Sequence, residues 1–585
     1  MTIVETAEPR ERAASQDAVT KPADGTRLLA LWLLAAVVVT LGAHLGAIRG
    51  PFTEKQAWVS AHFAMMAHSF QTQGVLGQGG VPIQNYPPLG ADPDAYTHWP
   101  PLFPIVLSSV FSLFGESEAV ARGLMLVILA ANALAMMALM SACCGRRAGL
   151  LAVFAFLTMP AMDVYGRLVL HLHLAILFLL LALLGFVKAT GADHDRIHRR
   201  WAAFGLASMV LAMLTSWEPI LACAGLFAVG VCTRRRSQVV LALIYGAAGV
   251  AVVCGVIGLY CLSSPGLAAD LWHTVLFRTG LTSYPAAELT LHTIVNDRQY
   301  AMSKAQTSVG GAFVLFTARL WLIGGQLGTI ALGWLLAYGW TSRRSRGDGR
   351  LAVVFGGLLS AWVLWFTLMH NHACDHEYQM LLAVPAASFA MGVTGIALLD
   401  LIRSLAPSNA RRAGLAVLAV VPAVLLLPHT LNARFAWQAP PEDKAQALIA
   451  FAQRIRQTTE PNDIILIASN SMVPVYYSHR HTIRGVADEA LRRIEERLPH
   501  TFPGCIAYLA LMGPEELAQF PDAARRYPRR VEEPELVLLE IPTQAEGQSS
   551  RRRSAVEDAT VRGSLRPQSA TGADQNPPPG GPKNR

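Results

Sequence analysis

Residues 239–262 read VVLALIYGAAGVAVVCGVIGLYCL, a run of 24 positions without a charged side chain. A helix of this length spans about 36 Å, which exceeds the roughly 30 Å hydrocarbon layer of a bilayer. Three arginines, at 234–236, come just before the run. Basic clusters beside long apolar runs are typical of cytoplasmic loops. The segment therefore predicts a transmembrane helix.

Comparable runs recur along much of the chain. Of its 585 residues 53% are hydrophobic and only 15% are charged, whereas soluble domains carry about 25% charged residues. This composition predicts an all-α polytopic membrane protein with about eleven transmembrane helices and additional juxtamembrane helices. The predicted spans are 28–48, 118–142, 149–163, 171–188, 203–216, 219–232, 239–262, 320–340, 351–369, 379–402 and 413–431.

The distribution of basic residues predicts the topology. If the N-terminus is cytoplasmic and residues 101–115 do not cross, 20 Lys and Arg residues lie in inner segments and about seven in outer ones. A crossing at 101–115 would reverse this asymmetry, against the positive-inside rule. We therefore expect residues 101–115 to form a juxtamembrane or re-entrant element. Residues 1–27 are expected to be a disordered cytoplasmic tail that precedes an uncleaved first span.

Two long outer loops follow from this topology, at 49–117 and 263–319. Within the first loop, residues 54–71 are expected to form a helix at the membrane interface. Beyond the apolar region at 28–431, the composition changes to that of a soluble unit. Residues 440–545 predict a small extracytoplasmic α/β accessory domain, since helix and strand patterns alternate. Residues 546–585 contain few large apolar side chains and predict a disordered tail.

Charge and cysteine content exclude several classes of function. The net charge of +8 lies largely in short clusters between apolar runs, which indicates membrane orientation rather than nucleic-acid binding. The eight cysteines contain no CxxC pair, so neither a disulfide framework nor a zinc site is indicated. No cofactor is predicted, and a divalent metal remains an open alternative.

Glu54 is the first candidate for chemistry in the outer loops. It follows the first span by a few residues and is the only acid between Arg49 and Asp92. It could cap the start of a helix, where carboxylates are favourable. It could instead be a catalytic carboxylate aimed at a donor that is embedded in the membrane. Position alone leaves both interpretations open.

A histidine-rich stretch, HNHACDHEY at residues 370–378, is the second candidate. Its composition suits a metal site, but its spacing matches no established signature such as HExxH. We favour a polar cluster that contacts an anionic substrate through charge or hydrogen bonds. His171 and His173 are two positions apart, so they do not share one face of a helix and do not predict a two-histidine metal site.

Two blocks in the first outer loop resemble a known class of enzymes. They read YTHWPPLFP at 96–104 and LFGESEAVAR at 113–122, and GRL at 166–168, SWEP at 216–219 and HEYQ at 376–379 follow in order. This series resembles bacterial membrane glycosyltransferases of the GT-C class, similar to dolichyl-phosphate-mannose protein mannosyltransferases and aminoarabinose transferases. The resemblance covers about 30–431, and the first block is its most specific part.

The resemblance implies transfer of a sugar from a polyprenyl-phosphate donor to an extracytoplasmic acceptor, at the cell inner membrane. In such enzymes an acid in the first outer loop is essential, and Glu54 is the best match, although many relatives have Asp-Glu where this chain has Thr53-Glu54. A basic residue before the Pro-Pro pair helps to hold the donor phosphate, and His98 matches it. The full candidate set adds Arg167 and Arg122 for the phosphate and, as residues lining the substrate site, Asp92, Asp94, His171, Glu218, His376 and Glu377.

Two other classes of function stay open. A transporter or flippase of a lipid-linked solute would have ionisable residues near the midplane and paired broken helices. The predicted spans hold almost no such charge, and their ionisable residues gather at the outer ends instead. A non-catalytic envelope assembly protein, with the outer α/β unit binding a partner, is the other alternative.

Overall fold

The computed structural model describes residues 48–87, 94–191, 197–263, 265–279, 349–405 and 441–542, together with positions 38, 42, 45 and 281. The part before residue 406 is helical. Its α-helices are α1 (Ala57–Gln73), α2 (Leu102–Phe114), α3 (Glu118–Cys144), α4 (Arg146–Thr158), α5 (Pro160–Tyr165), α6 (His171–Ala189), α7 (Arg199–Thr215), α8 (Ile220–Cys232), α9 (Arg236–Ser263), α10 (Pro265–Arg278), α11 (Arg350–Leu368), α12 (His370–Asp375) and α13 (Ala383–Leu405). A 3₁₀ helix, Glu377–Leu382, joins α12 to α13.

Five helical segments in the described ranges are long and apolar enough to cross a membrane: Glu118–Cys144, His171–Ala189, Arg236–Ser263, Arg350–Leu368 and Tyr378–Leu398. They coincide with five of the predicted spans, so the chain is a multi-pass membrane protein. The span predicted at 149–163 is instead divided at Met159, which is extended and precedes Pro160, into α4 and α5. The spans predicted at 203–216 and 219–232 correspond to the shorter helices α7 and α8. Those predicted at 320–340 and 413–431, and nearly all of 28–48, lie outside the described residues.

The helix α2 occupies the segment that the charge distribution predicts not to cross. It has 13 residues and is therefore about 20 Å long, shorter than the hydrocarbon layer. Its inner face packs on α1, whereas Leu113 and Phe114 at its end are exposed. This length and exposure suit a juxtamembrane element.

The helix α1 differs from the interfacial helix that the sequence predicts. It begins at Ala57 and not at residue 54, and it is buried on nearly all sides. Phe63, Met66 and Phe70 are covered by protein rather than left for lipid. The reason is that α2 packs on one side of α1 and the C-terminal unit packs on another.

Small residues let α6 and α7 approach closely. A β-carbon on Gly185 would lie 2.5 Å from the Cα of Gly205, and one on Gly205 would overlap the hydroxyl of Tyr245. Helix pairs in membranes rely on such close packing because lipid supplies no hydrophobic driving force between helices. This contact fixes α6, whose first residue, His171, lies at the candidate site.

Residues 441–542 form an α/β unit with a five-stranded sheet. Its elements are α14 (Pro441–Thr458), β1 (Ile464–Ile467), α15 (Met472–Ser478), β2 (His481–Ile483), α16 (Leu491–Thr501), β3 (Ala507–Leu511), α17 (Pro514–Leu517), α18 (Pro521–Arg526), β4 (Arg529–Glu533) and β5 (Leu536–Ile541). The strand order is β2-β1-β3-β5-β4, parallel among the first three and antiparallel beyond. The small sheet with covering helices agrees with the sequence prediction, which did not include β2 or β4.

The α/β unit docks on the first outer loop through its edge strand β2. The side-chain amide of Asn85 donates to the carbonyl of Thr482 over 2.8 Å and accepts from its backbone N–H over 2.9 Å. This pairing satisfies backbone groups that an unpaired sheet edge would leave exposed. The Tyr86 hydroxyl donates to the carbonyl of Tyr476. The first outer loop and the α/β unit therefore form one packed interface.

We expect Asn85→Ala to loosen this interface. The change leaves a buried N–H and a buried carbonyl of Thr482 without the partner that the structure gives them, which costs about 1–3 kcal/mol for each unsatisfied group. Thermal unfolding of the purified full-length chain should show a lowered Tm. Ser109→Ala is the control, because this exposed hydroxyl bonds only within its own helix. Equal Tm values for the two variants would contradict the role given to Asn85.

Candidate functional site

The carboxylate of Glu54 lies in the turn between the first predicted span and α1. It is buried and both its oxygens are bound. Oε1 accepts a hydrogen bond from the Ser60 hydroxyl over 2.8 Å, and Oε2 contacts Nη2 of Arg122 over 2.5 Å. The structure thus places Glu54 in a fixed position before the helix, as an ion-paired carboxylate.

Arg122 comes from the first turns of α3 and fastens the turn that carries Glu54. Besides Glu54, its guanidinium donates to the carbonyls of Ile48, Gly50 and Pro51. Its Cζ lies 5.0 Å from the centroid of the Phe52 ring. The sequence predicts Arg122 as a phosphate ligand. In the structure its guanidinium is instead bonded to the protein itself and holds Glu54 in place.

Ser60 connects Glu54 to the loop that carries Arg167. Its hydroxyl accepts a hydrogen bond from the backbone N–H of Val169 over 3.1 Å while it donates to Glu54. Arg167, two residues earlier, is partly buried. Among the described residues it has neither a hydrogen bond nor an ion pair, so its charge is available to an anion.

Trp99 is the centre of a second group of side chains at the same end of the helices. Its ring faces His171 at 4.6 Å, Trp365 at 5.7 Å and His372 at 5.6 Å between centroids. The Cζ of Arg278 lies over the ring at 5.1 Å from its centroid. The Tyr260 hydroxyl fixes this platform by donating to the backbone carbonyl of Trp99.

Arg278 is the strongest candidate for anion binding in this group. The residue is only 8% exposed, yet within the described ranges its guanidinium makes no hydrogen bond and no ion pair. A buried charge that lacks a partner is costly, so such groups are normally paired or meet a charged ligand. Five fixed N–H donors suit a phosphate.

His98 lies beside this guanidinium. Its Nε2 is 3.1 Å from the Thr274 hydroxyl, and its carbonyl accepts from the indole of Trp217. Burial lowers the pKa of His98 well below its usual value, and the charge of Arg278 lowers it further. The ring is therefore neutral at pH 7, and it can meet a phosphate through a hydrogen bond but not through charge.

Glu218 follows Trp217 in the short connection between α7 and α8. It is fully buried. Its Oε2 accepts from the Ser216 hydroxyl, whereas its Oε1 has no hydrogen-bond partner in the described part of the chain. Burial raises the pKa of Glu218 to about 7, although the hydroxyl of Ser216 and the charge of Arg278 oppose this rise.

The histidines of the predicted polar cluster gather around the same aromatic rings. The rings of His372 and His376 are 4.4 Å apart, and His376 lies 5.7 Å from the Trp58 ring. His171 is almost fully buried, with both ring nitrogens lacking partners among the described residues. Within the described part of the chain, no group of three His, Cys, Asp or Glu side chains is arranged to hold a metal ion.

The remaining predicted lining residues lie elsewhere or are not described. Asp94 faces the α/β unit, where its Oδ2 lies 3.3 Å from Nη2 of Arg484. Asp94 also accepts from the side chain of Gln84 over 2.7 Å. Asp92 and the side chain of Glu377 lie outside the described residues.

The sequence alone did not single out two candidate residues, Arg278 and Arg484, from the other charged residues. Arg278 is the only Lys or Arg between Arg236 and Arg298, and that isolation was the available signal. Arg484 belongs to the α/β unit and approaches the first outer loop near His62. Burial lowers the pKa of His62 to about 3, with the charge of Arg484 as a second cause. No local sequence motif indicates this long-range contact between Arg484 and the first outer loop.

No protein-family model matches the chain, and no curated protein matches it in sequence. Solved structures do resemble it. The crystal structure of ArnT from Cupriavidus metallidurans bound to undecaprenyl phosphate superposes with a TM-score of 0.54 at 15% identity, over 87% of this chain and 98% of ArnT. The oligosaccharyltransferase AglB from Archaeoglobus fulgidus, in complex with an inhibitory peptide and a dolichol-phosphate, gives 0.53 at 14% identity, over 85% and 72%.

These comparisons confirm the predicted fold class. The chain is an all-α polytopic membrane protein with a GT-C-like fold and a small C-terminal α/β unit. At this level of identity the likeness concerns the fold, and the roles of individual side chains must be argued from their own geometry.

The ion pair of Glu54 and Arg122 should be important for stability. We expect Arg122→Met to lower the free energy of unfolding by about 3–5 kcal/mol, because it leaves a buried carboxylate without its cation. The double variant Arg122→Met/Glu54→Gln should recover part of this loss. Thermal unfolding of the purified chain measures both.

The control for this experiment is Arg525→Met. Arg525 pairs with Asp522 at the surface, with 74% and 53% of the two side chains exposed. Exposed pairs contribute at most about 1 kcal/mol. If Arg122→Met and Arg525→Met lowered the free energy of unfolding by similar amounts, the buried pair would not be a constraint on the fold.

Proposed function

We propose that this chain is a membrane glycosyltransferase that moves a sugar from a polyprenyl-phosphate donor to an extracytoplasmic acceptor. The observation that carries the proposal is Arg278, a buried guanidinium that lies on the Trp99 ring without an acidic partner among the described residues. It lies at the end of a bundle of apolar helices, where a lipid phosphate can meet it while its tail stays in the bilayer.

The donor phosphate would be held by Arg278, with two further groups beside it. His98 supplies a neutral imidazole that can donate one hydrogen bond to a phosphate oxygen. Arg167 supplies a second guanidinium, from the loop that is fastened through Ser60. Guanidinium groups are suited to phosphate because their donors can bind two oxygens at once. Arg122 would act indirectly, by positioning Glu54.

The fold is compatible with such a donor. ArnT has been solved with undecaprenyl phosphate bound, and AglB with a dolichol-phosphate and an inhibitory peptide. Both are similar in fold to this chain and both accommodate a polyprenyl phosphate. We extend that ligand class, but neither protein's acceptor, to the present chain.

Glu54 is the proposed base. Glycosyl transfer requires a group that takes the proton of the acceptor hydroxyl as the new bond forms. The Arg122 guanidinium stabilises the charged carboxylate of Glu54, and Ser60 orients it. A carboxylate that is charged and held in one orientation is suited to accept a proton from a bound hydroxyl.

The proposed site lies on the extracytoplasmic face of the inner membrane. The site residues lie at the starts of α3, α6 and α8, whereas the clusters at Arg146–Arg147 and Arg235–Arg236 lie near the opposite ends of the same bundle. Basic clusters are enriched on the cytoplasmic side. The site would then face away from the cytoplasm, together with the α/β unit that contacts the first outer loop.

Arg278→Gln tests the phosphate site. Removing one charged donor group should weaken binding of undecaprenyl phosphate by about 10–100-fold, since hydrogen bonds to charged groups contribute about 1.5–3 kcal/mol. Binding to the purified full-length chain in detergent would be measured by calorimetry. Arg454→Gln is the control, because Arg454 pairs with Glu533 at the surface of the α/β unit. Unchanged affinity in Arg278→Gln would refute the assignment.

Glu54→Gln tests the base. It keeps the size and much of the hydrogen bonding, so donor binding should stay nearly intact while transfer falls by about 10²–10⁴-fold. The assay uses the purified chain with a polyprenyl-phosphate sugar and measures the released polyprenyl phosphate. Ser60→Ala is the matched variant, because it removes the bond to Oε1 but keeps the carboxylate and should lose far less activity.

The alternative role for Glu54, a helix-start acid, predicts a different result. In that case Glu54→Gln would lower stability through the loss of the ion pair with Arg122 and leave transfer unchanged. Such an outcome would assign the base to another acid, with Asp92 and Asp94 the nearest in the same outer loop.

A further inference from the structure

We propose that Glu218 is the general acid that protonates the departing polyprenyl phosphate. This inference rests on the proposed function, and it assigns to Glu218 a step that Glu54 does not perform. The observation behind it is a carboxyl oxygen that is fully buried, without a hydrogen-bond partner among the described residues, in the same group of side chains as Arg278.

The position of Glu218 is fixed by its neighbours in the chain. The Ser216 hydroxyl donates to Oε2. The indole of Trp217 donates to the carbonyl of His98 over 2.9 Å, which fastens the connection to the residue next to Trp99. Oε1 is the atom left without a partner. A buried polar atom of this kind normally meets a ligand, a water molecule or a proton donor.

Arg278 of α10 is the charged side chain that acts on Glu218. The same guanidinium acts on His98 in the segment before α2, on His171 at the start of α6 and on Asp270 of its own helix. His98 is neutral and Asp270 is bound to the Thr97 hydroxyl over 2.7 Å. Arg278 is therefore the cation that acts on Glu218. The Ser216 hydroxyl, the backbone N–H of Glu218 and Arg278 together lower the pKa of Glu218 by less than burial raises it.

The surroundings of Glu54, the proposed base, differ from those of Glu218, the proposed acid. Glu54 forms an ion pair with the guanidinium of Arg122, and both its oxygens are bound. Burial instead raises the pKa of Glu218 to about 7, so a substantial fraction carries a proton near neutral pH. A carboxyl group that still carries a proton near neutral pH can act as a general acid.

The acceptor oxygen attacks the anomeric carbon of the sugar, and the bond from that carbon to the phosphate oxygen breaks. The bonding electrons go to the phosphate oxygen, which takes the proton of Glu218. The proton of the acceptor hydroxyl goes to Glu54. The products are the glycosylated acceptor and a protonated polyprenyl phosphate, and exchange with solvent restores both carboxyl groups.

A first experiment compares wild type with Glu218→Gln in the transfer assay. We expect a loss of about 10²–10⁴-fold in kcat with the natural phosphate leaving group. In a second donor a difluoromethylene group replaces the oxygen between the lipid and phosphorus, so the bond to the anomeric carbon stays cleavable and the leaving phosphonate is less basic. With this donor the loss should shrink by at least about tenfold, because a weaker base needs less protonation. In wild type the rate should fall as pH rises through about 7, which gives the pH–rate profile an alkaline limb. This alkaline limb should be absent in Glu218→Gln.

The matched variant is Ser216→Ala. The hydroxyl of Ser216 stabilises the charged form of Glu218, so its removal should move the alkaline limb of the pH profile to higher pH. If the connection between α7 and α8 had only a structural role, Ser216→Ala would change stability or kcat and leave the alkaline limb at the same pH. A Glu218→Gln variant with wild-type kcat, in a preparation where Glu54→Gln is inactive, would overturn the inference and leave the proposed function standing.

A second experiment does not depend on transfer. Binding of undecaprenyl phosphate to the full-length chain is measured at pH 8 in two buffers with different ionisation enthalpies, which gives the number of protons taken up. A phosphate beside Glu218 favours its neutral form, so wild type should take up close to one proton more than Glu218→Gln. Equal uptake would place Glu218 away from the phosphate and refute the inference. Absence of transfer by wild type would refute the proposed function itself.

Discussion

The buried ion pair between Glu54 and Arg122 is the constraint on which the site depends. Arg122 belongs to a long apolar helix, and its guanidinium binds both the carboxylate and the backbone carbonyls of the preceding turn. Removing either charge would leave the other in a poorly solvated place, which is far more costly than a surface pair. Because Ser60 also joins Glu54 to the backbone of Val169, one interaction sets the positions of the first outer loop, α3 and the Arg167 loop.

The sequence predicted the elements whose signal is local. Apolar length placed the long helices, and the order of short blocks predicted the GT-C-like fold that the comparisons confirm. Helix ends and short strands such as His481–Ile483 were missed, because β2 is held by Asn85 almost four hundred residues away. Arg278 shows the same limit: its burial on Trp99 depends on how four segments pack, and a single isolated arginine in the sequence does not reveal which ring it meets.

The α/β unit contacts the segments that hold Glu54 in place. The Tyr477 hydroxyl accepts from the backbone N–H of Phe52 and donates to Glu118 at the start of α3, each over 2.8 Å. Phe52 is two residues from Glu54, so the unit supports the same turn that Arg122 fastens. Its Arg484 reaches Asp94 in the same outer loop. These contacts join the α/β unit to the turn before α1, to the start of α3 and to the first outer loop.

The charge states of the buried groups decide how a phosphate could be bound. Histidines are numerous around Trp99, and their number alone suggests a cationic site. His98 and His62 are nevertheless neutral, since burial and nearby arginines lower their pKa values. These two rings therefore contribute no positive charge, whereas guanidinium groups keep their protons in a poorly hydrated site. The neutral ring of His98 adds no repulsion beside Arg278, so that the guanidinium groups of Arg278 and Arg167 and the protonatable carboxyl group of Glu218 remain for the ligand.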